Sequence, residues 1–137
     1  MLSGRTNTSY VAKIMIAEDN KLHVRVLRDL LASCNHEVVA VASNGVEAVE
    51  TFNRVKPDVL LLDIAMPKKD GKAALKEIMA SHPDAKVIMV TAMEDMKTIQ
   101  ECAANGATAY ITKPYEISDI RKAIFMALTH NLMIAAI

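Results

Sequence analysis

Several kinds of residue are scarce in this sequence, and each scarcity excludes a class of protein. The 137 residues include only two cysteines, Cys34 and Cys102, which are too far apart to form a CxxC motif. Neither a zinc site nor a disulfide framework is therefore expected, and a reducing cytoplasm is the expected location. Positive charge is not in excess, because 16 lysine and arginine residues balance 16 aspartate and glutamate residues. Nucleic-acid binders usually carry a basic excess, so we expect no direct binding of nucleic acid.

Long apolar segments are also missing. No stretch reaches the roughly 18–20 uninterrupted apolar residues of a membrane span, because polar residues at 129–131 interrupt the apolar end of the chain. Residues 1–10 lack the apolar region of a secretory signal and are expected to form a disordered N-terminal tail. We expect one domain over residues 11–130, no membrane partner, and an apolar C-terminal tail over residues 131–137. The sequence leaves open whether that tail packs on the domain, pairs two chains or leads into an output domain.

Apolar residues make up 52% of the chain, enough to fill a core, and they fall into two alternating patterns. Short runs rich in branched residues, about 5–7 residues long, are typical of strands. Most of these runs are apolar nearly throughout, which indicates strands covered on both faces. Segments with helical periodicity lie between them, so the sequence predicts a single doubly wound α/β domain with a five-stranded parallel sheet and helices on both faces. The five runs are Val11–Ala17, Glu37–Ala42, Asp58–Leu62, Lys86–Val90 and Thr108–Thr112.

The helical segments carry apolar residues at intervals of three and four, and we expect these residues to face the sheet. Boundary residues support the same division of the chain. Asn44 and Glu47 resemble a capping box at the start of the second helix, and Gly106 is placed as a glycine that ends the fourth helix. The periodic residues are Leu22, Val26 and Leu30 in the first helix, Val46, Val49 and Phe52 in the second, and Ile117, Ile120, Ile124 and Leu128 in the last.

Polar residues that could bind ligands or take part in a reaction follow four of the five predicted strands. Glu18 and Asp19 follow the first, Asp63 follows the third, Thr91 ends the fourth, and Lys113 closely follows the fifth. Ligands of such sheets bind beyond the carboxyl ends of the strands, so these side chains are expected to meet. Crowded carboxylates are relieved by a hard divalent cation such as Mg²⁺. With a lysine and a hydroxyl donor nearby, they are the parts of phosphoryl transfer onto aspartate.

Each of these residues also has a purely structural interpretation. Asp19 or Asn20 would serve equally well as a helix N-cap. Thr91 alone would be a strand-end hydroxyl, and Lys113 alone would be a solvated lysine. Capping explains Asp63 poorly, because Pro67 follows it closely and no helix is predicted to start there. The combination of all of them on adjacent strand ends favours a functional site.

Taken together, these residues resemble the receiver domain of bacterial and archaeal two-component response regulators. The resemblance covers roughly Val11 to Thr129 and implies the flavodoxin-like strand order 2-1-3-4-5. Each matching segment is common by itself, and their joint order and spacing carry the resemblance. The segments are Ile14–Asn20, Pro57–Asp63, Met66–Pro67, Asp70–Gly71, Val90–Ala92, Gly106–Ala107 and Tyr110–Pro114.

The resemblance implies a phosphoacceptor signalling switch rather than an enzyme. Asp63 would accept a phosphoryl group from a histidine kinase or a histidine phosphotransfer protein. Mg²⁺, or Mn²⁺, would be bound by Glu18, Asp19, Asp63 and the main-chain carbonyl of Ala65. Glu18 stands where many members have aspartate, and it would act mostly through water.

The resemblance also assigns the phosphoryl-binding and switch residues. Lys113 and Thr91 would bind phosphoryl oxygens, and the peptide bond between Lys113 and Pro114 would be cis. Thr91 and Tyr110 would form the switch, through which phosphorylation shifts the face made by the fourth helix, fifth strand and fifth helix. That face would bind a downstream protein target or an output domain. Ala65 and Met93 are both non-polar and cannot orient an attacking water, so we expect slow to moderate autodephosphorylation.

Three other functions fit the same residues less well. A phosphatase of the haloacid-dehalogenase type needs a second aspartate two residues after its nucleophile, where this chain has Ala65. A flavodoxin-like cofactor binder needs a phosphate loop after the first strand, where Glu18 and Asp19 would repel a phosphate. A pseudo-receiver that acts only as an interaction module would not need the full set of site residues that this sequence has.

Overall fold

The computed structural model describes the backbone of residues 11–136 and the side chains of residues 11–129. The expected disordered tail over residues 1–10 lies outside this range. Strands and helices alternate strictly along the described chain. They are β1 (Lys13–Ala17), α1 (Lys21–Ser33), β2 (Glu37–Ala42), α2 (Gly45–Val55), β3 (Val59–Leu62), α3 (Gly71–Ser81), β4 (Val87–Thr91), α4 (Met96–Ala104), β5 (Ala109–Thr112) and α5 (Ile117–Ala136).

The five strands form one parallel sheet in the order β2-β1-β3-β4-β5. This confirms the predicted fold class and strand order. Every residue of β3 and β4 is buried, as expected for central strands of a parallel sheet that is covered on both faces. Because β1 and β3 are neighbours in space and are connected through β2, the switch in strand order lies between them.

Alternate residues of each strand pack into two separate cores, one on each face of the sheet. On one face, Met15, Leu60 and Leu62 pack with residues of α2, α3 and α4, among them Phe52 and Leu75. On the other face, strand residues pack with α1 and α5. The members of this second core include Ile14, Ile16, Leu61, Ile88, Leu27, Leu31, Ile120 and Ile124.

The expected inward face of α1 is wrong. Leu22 and Val26 are 67% and 43% exposed, and the buried residues of α1 are Leu27 and Leu31. Both sets have the same helical spacing, so periodicity alone cannot choose between them. Packing decides the choice, because Leu27 and Leu31 belong to the core on this face of the sheet, whereas Leu22 and Val26 are exposed.

The other two helical faces are closer to the prediction. In α5, Ile120 and Ile124 are buried as expected. In α2, Phe52 is buried but Val46 is 38% exposed, and the buried surface is completed instead by small residues such as Ala48. Helix α2 shifts its buried face towards these small residues because its first turn packs closely against the loop after β3.

The boundary residues act largely as predicted. The Asn44 side chain accepts the Glu47 N–H at 2.9 Å and caps α2. The Glu47 carboxylate accepts instead from the N–H of Ser43 at 3.0 Å, one residue before the expected partner. After α4, Gly106 adopts a φ of 101°, a left-handed conformation that glycine adopts without strain.

Helix α5 continues to Ala136, so the backbone of residues 131–136 is helical rather than separate from the last helix. The side chains from residue 130 onward lie outside the described part of the structure, and the role of residues 131–137 stays a prediction. Among the residues described, none of the helices is both long enough and apolar enough to cross a membrane.

Candidate functional site

Four strand ends bring the predicted site residues to one edge of the sheet. Glu18 follows β1, Asp63 follows β3, Thr91 ends β4 and Lys113 follows β5. The side chains of the first three are buried, with 3%, 6% and 0% exposure for Glu18, Asp63 and Thr91. These polar groups lie within the folded domain rather than on its surface, so each needs a partner.

Three carboxylates converge at this edge. One oxygen each from Glu18, Asp19 and Asp63 can be chosen so that all lie within 4.8 Å of one another, and only Asp19 is exposed. Main-chain bonds hold two of them in place, because the Glu18 N–H donates to the Ala42 carbonyl at 2.9 Å and the Asp63 N–H donates to the Ala17 carbonyl at 3.0 Å. The sheet hydrogen bonds thus extend one residue beyond the strands, and they hold the carboxylates close together despite their mutual repulsion.

Lys113 supplies the positive charge opposite these carboxylates. Its Nζ lies 2.6 Å from Glu18 Oε1 and 3.3 Å from Asp63 Oδ2. The Lys113 main-chain N–H donates to the Thr91 carbonyl at 2.8 Å, and the Lys113–Pro114 peptide bond is cis. The ammonium is therefore held between two buried carboxylates at the end of β5.

The donor set fits a hard divalent cation. One ammonium faces three carboxylates, so unbalanced negative charge remains among oxygen ligands of the kind that Mg²⁺ prefers. The Asp63 carboxylate is already oriented, because its Oδ1 accepts the Ile64 N–H at 2.7 Å and its Oδ2 faces Lys113. Ala65 is exposed in the loop between β3 and α3, and the role of its carbonyl as a ligand stays a prediction.

The two predicted switch residues both contact the main chain of Met93. The Met93 N–H donates to Thr91 Oγ1 at 3.4 Å, and the Tyr110 hydroxyl donates to the Met93 carbonyl at 2.6 Å. Tyr110 is half-buried, and burial is the main cause that raises its pKa to about 12. The phenol is therefore a stable hydrogen-bond donor at neutral pH, and it couples β5 to the loop before α4.

One residue of this site was not predicted from the sequence. His23 Nδ1 lies 2.9 Å from Lys113 Nζ and 3.5 Å from Glu18 Oε1. A signal for it exists in the sequence, because Asn20 caps α1 and places the third helical residue, His23, beside the strand end. From the sequence alone, that histidine is indistinguishable from an exposed helix residue.

Gly71 belongs to one of the segments that carry the resemblance, but its contact with Asp63 was not predicted and emerges only from the structure. A Cβ at this position would lie 2.0 Å from the main-chain oxygen of Asp63. The start of α3 therefore rests directly against the peptide unit of Asp63, and only glycine allows this close approach.

The fold and the site together define a class of protein, the receiver of two-component signalling. The family model for the response regulator receiver domain matches residues 14–125, and the chain belongs to this family. The resemblance inferred from the sequence is thereby confirmed.

Individual relatives support the same assignment. The chain is 38% identical over 112 residues to the chemotaxis protein CheY of Listeria monocytogenes, covering 82% of this chain and 94% of that protein. It is 36% identical over 112 residues to CheY of Thermotoga maritima, with 82% and 93% coverage. It is also 36% identical over 125 residues to the transcriptional regulatory protein PdtaR of Mycobacterium tuberculosis, covering 91% of this chain and 60% of PdtaR.

Solved structures show the same fold. The response regulator domain of CheB from Thermotoga maritima superposes with a TM-score of 0.81 at 33% identity, covering 87% of this chain and 97% of that one. A crystal structure of the CheX–CheY–BeF₃–Mg²⁺ complex from Borrelia burgdorferi also matches with a TM-score of 0.81, at 29% identity and with 85% and 87% coverage.

Proposed function

We propose that this receiver domain is a phosphoacceptor switch that is phosphorylated on Asp63. The observation that carries the proposal is the arrangement of Lys113 Nζ between two buried carboxylates, 2.6 Å from Glu18 and 3.3 Å from Asp63. A buried carboxylate cluster without a function would lower the stability of the fold, because apolar residues of similar volume are often as stable or more stable in the same place.

The chemistry follows from the two oxygens of Asp63. Oδ1 is occupied by the Ile64 N–H, so Oδ2 attacks the phosphorus of a phosphohistidine on the donor protein. A P–O bond forms, the donor's P–N bond breaks, and the electron pair of that bond stays on the imidazole nitrogen. Lys113 and the Thr91 hydroxyl then donate hydrogen bonds to phosphoryl oxygens.

Mg²⁺ (or Mn²⁺), bound by Glu18, Asp19, Asp63 and the Ala65 carbonyl, would offset the negative charge that the phosphoryl group adds to this cluster. The convergence of three carboxylate oxygens supports this ligand set. Ala65 and Met93 offer no side-chain group to orient a water, which supports slow to moderate hydrolysis of the aspartyl phosphate.

The surface beside the site suits a histidine kinase or histidine phosphotransfer protein. A groove of about 560 Å³ adjoins Lys113 between α1 and the loop after β5, and its walls include Val26, Leu30, Tyr115 and Ile117. Any donor that brings a phosphohistidine to Asp63 must cover this rim. The outward apolar row of α1 gives such a donor a surface to bury.

The output would pass through Thr91 and Tyr110. When Thr91 turns to a phosphoryl oxygen, its bond to the Met93 N–H changes, and the Met93 carbonyl that Tyr110 contacts moves with it. The face made by α4, β5 and α5 carries the exposed Met96 and Met126, 64% and 56% exposed. A change in this face would alter binding of a downstream target or an output domain.

The test is covalent labelling by a small phosphodonor. The protein is incubated with acetyl phosphate and Mg²⁺, and its intact mass is measured over time. We expect one phosphoryl group on the wild-type protein and on Asp84→Asn, a control at an exposed carboxylate outside the site, and none on Asp63→Asn. Labelling retained in Asp63→Asn would overturn the assignment, and no labelling of any variant would favour a pseudo-receiver.

A further inference from the structure

The Lys113 ammonium has three acceptors in this structure, and one of them is unexpected. Besides Glu18 Oε1 at 2.6 Å and Asp63 Oδ2 at 3.3 Å, His23 Nδ1 lies 2.9 Å from Nζ. An ammonium has three N–H donors and no acceptor. The three N–H groups of Lys113 therefore have three acceptors, and the imidazole accepts the one that does not go to a carboxylate.

The contact also indicates the role of each nitrogen of the imidazole. Because Lys113 can only donate, the lone pair of Nδ1 must accept, and the ring proton lies on Nε2. An ion pair between His23 and Glu18 would need a proton on Nδ1, but those atoms are 3.5 Å apart and Lys113 is closer. The distances therefore favour the arrangement in which Nδ1 accepts from Lys113.

The backbone holds His23 in this position. Asn20 Oδ1 accepts the N–H groups of Leu22 and His23 at 2.9 and 3.0 Å. The Asn20 N–H in turn donates to Glu18 Oε2 at 3.0 Å, while Glu18 Oε1 receives Lys113. The first turn of α1, the Glu18 carboxylate and the Lys113 ammonium thus form one connected network.

We propose that His23 is a positioning residue for Lys113. Its Nδ1 fixes the rotation of the ammonium, so that the remaining N–H groups point at Glu18 and Asp63 and, after phosphorylation, at a phosphoryl oxygen. This inference rests on the proposed function of Lys113. A lysine side chain has many rotamers, and an ammonium bound to Glu18 alone would be oriented towards Asp63 only part of the time.

The test compares His23→Leu, which has no acceptor, with His23→Asn, whose Oδ1 can replace Nδ1. We expect His23→Leu to slow labelling by acetyl phosphate about two- to tenfold, the equivalent of one hydrogen bond, and His23→Asn to recover most of the rate. His82→Leu is the matched control, because this histidine follows α3 and contacts Asn53 of α2, with no contact to the site residues. It should label at the wild-type rate.

Two further measurements separate positioning from a merely structural role. In the ¹⁵N spectrum of the neutral imidazole, His23 should be protonated on Nε2, and Lys113→Met should weaken that tautomer preference. In a double-mutant cycle, His23→Leu should have no effect on the rate once Lys113 is already methionine.

The outcomes distinguish the two claims. Wild-type labelling on Asp63 with an equal rate in His23→Leu would overturn the positioning role alone, as would an unchanged tautomer in Lys113→Met or additive effects in the cycle. Failure of the wild-type protein to label, or labelling without Asp63, would instead overturn the proposed function.

Discussion

The middles of the strands and the residues just beyond their carboxyl ends are equally buried but chemically opposite. Leu61 in β3 is 1% exposed, and Asp63, two residues later, is 6% exposed. Burying an apolar side chain stabilises the fold by about 1.5–3 kcal/mol, whereas burying a carboxylate costs free energy unless it is paired. The strand middles therefore stabilise the domain, and the charged site at the strand ends lowers that stability in part.

The largest effect is expected in the strand middles. Leu61→Ala should lower the free energy of unfolding by about 2–5 kcal/mol, because it removes buried methyl groups and leaves a cavity. Urea denaturation measures this loss. Leu22→Ala, at a site 67% exposed, should change it by less than about 0.5 kcal/mol, and a comparable loss at both sites would contradict the assignment of the α1 faces.

The strand ends should respond to Mg²⁺ in a way that the middles cannot. Mg²⁺ at about 100 times its dissociation constant should stabilise the wild-type protein by about 2.7 kcal/mol, measured by thermal unfolding with and without a chelator. Asp63→Asn should lose most of this gain, yet without Mg²⁺ it should be as stable as the wild type or up to about 1 kcal/mol more stable. An equal gain from Mg²⁺ in both proteins would place the metal elsewhere.

A third prediction concerns two glycines that touch the backbone around the site. Gly71→Ala and Gly45→Ala each place a Cβ 2.0 Å from a main-chain oxygen, of Asp63 and of Lys69 respectively. Both should destabilise the fold by about 1–3 kcal/mol. Only Gly71→Ala should also slow phosphorylation severalfold, because it displaces Asp63 itself, and equal rates in the two folded variants would show that this contact does not position the carboxylate.

The smallest effect concerns the amino end of β1. His36 Nδ1 accepts the Ala12 N–H at 3.1 Å, and burial lowers the pKa of His36 below its ordinary value of 6.5. As the pH falls, the imidazole is therefore protonated in the unfolded chain before it is protonated in the folded one. The titration of His36 should leave the free energy of unfolding unchanged above about pH 6.5 and lower it as the pH drops below that value.

The matching variant is His36→Asn, which keeps an acceptor without titrating. Unfolding curves between pH 7.5 and 5 should show a shallower loss of stability for this variant than for the wild type. Parallel curves would mean that His36 does not contribute to the pH dependence.

Strand middles and strand ends also differ in how far they are predictable from sequence. Strand middles such as those of β3 are recognisable because both faces are apolar, and Asp63 stands out because no helix begins directly after it. Periodicity did not choose the buried face of α1, since two rows of residues fit the same spacing. His23 was missed, and so was the role of Gly71, because these roles depend on distances to Lys113 and to the Asp63 carbonyl that are set by how helices meet the sheet.

The most direct test of the central claim is to locate the phosphoryl group chemically. Borohydride reduces an aspartyl phosphate to homoserine, which peptide mass spectrometry can assign to a position. After incubation with acetyl phosphate and Mg²⁺, we predict homoserine at position 63 and at no other aspartate, and none when the donor is omitted. Conversion at another position, or labelled protein that yields no homoserine at position 63, would contradict the account.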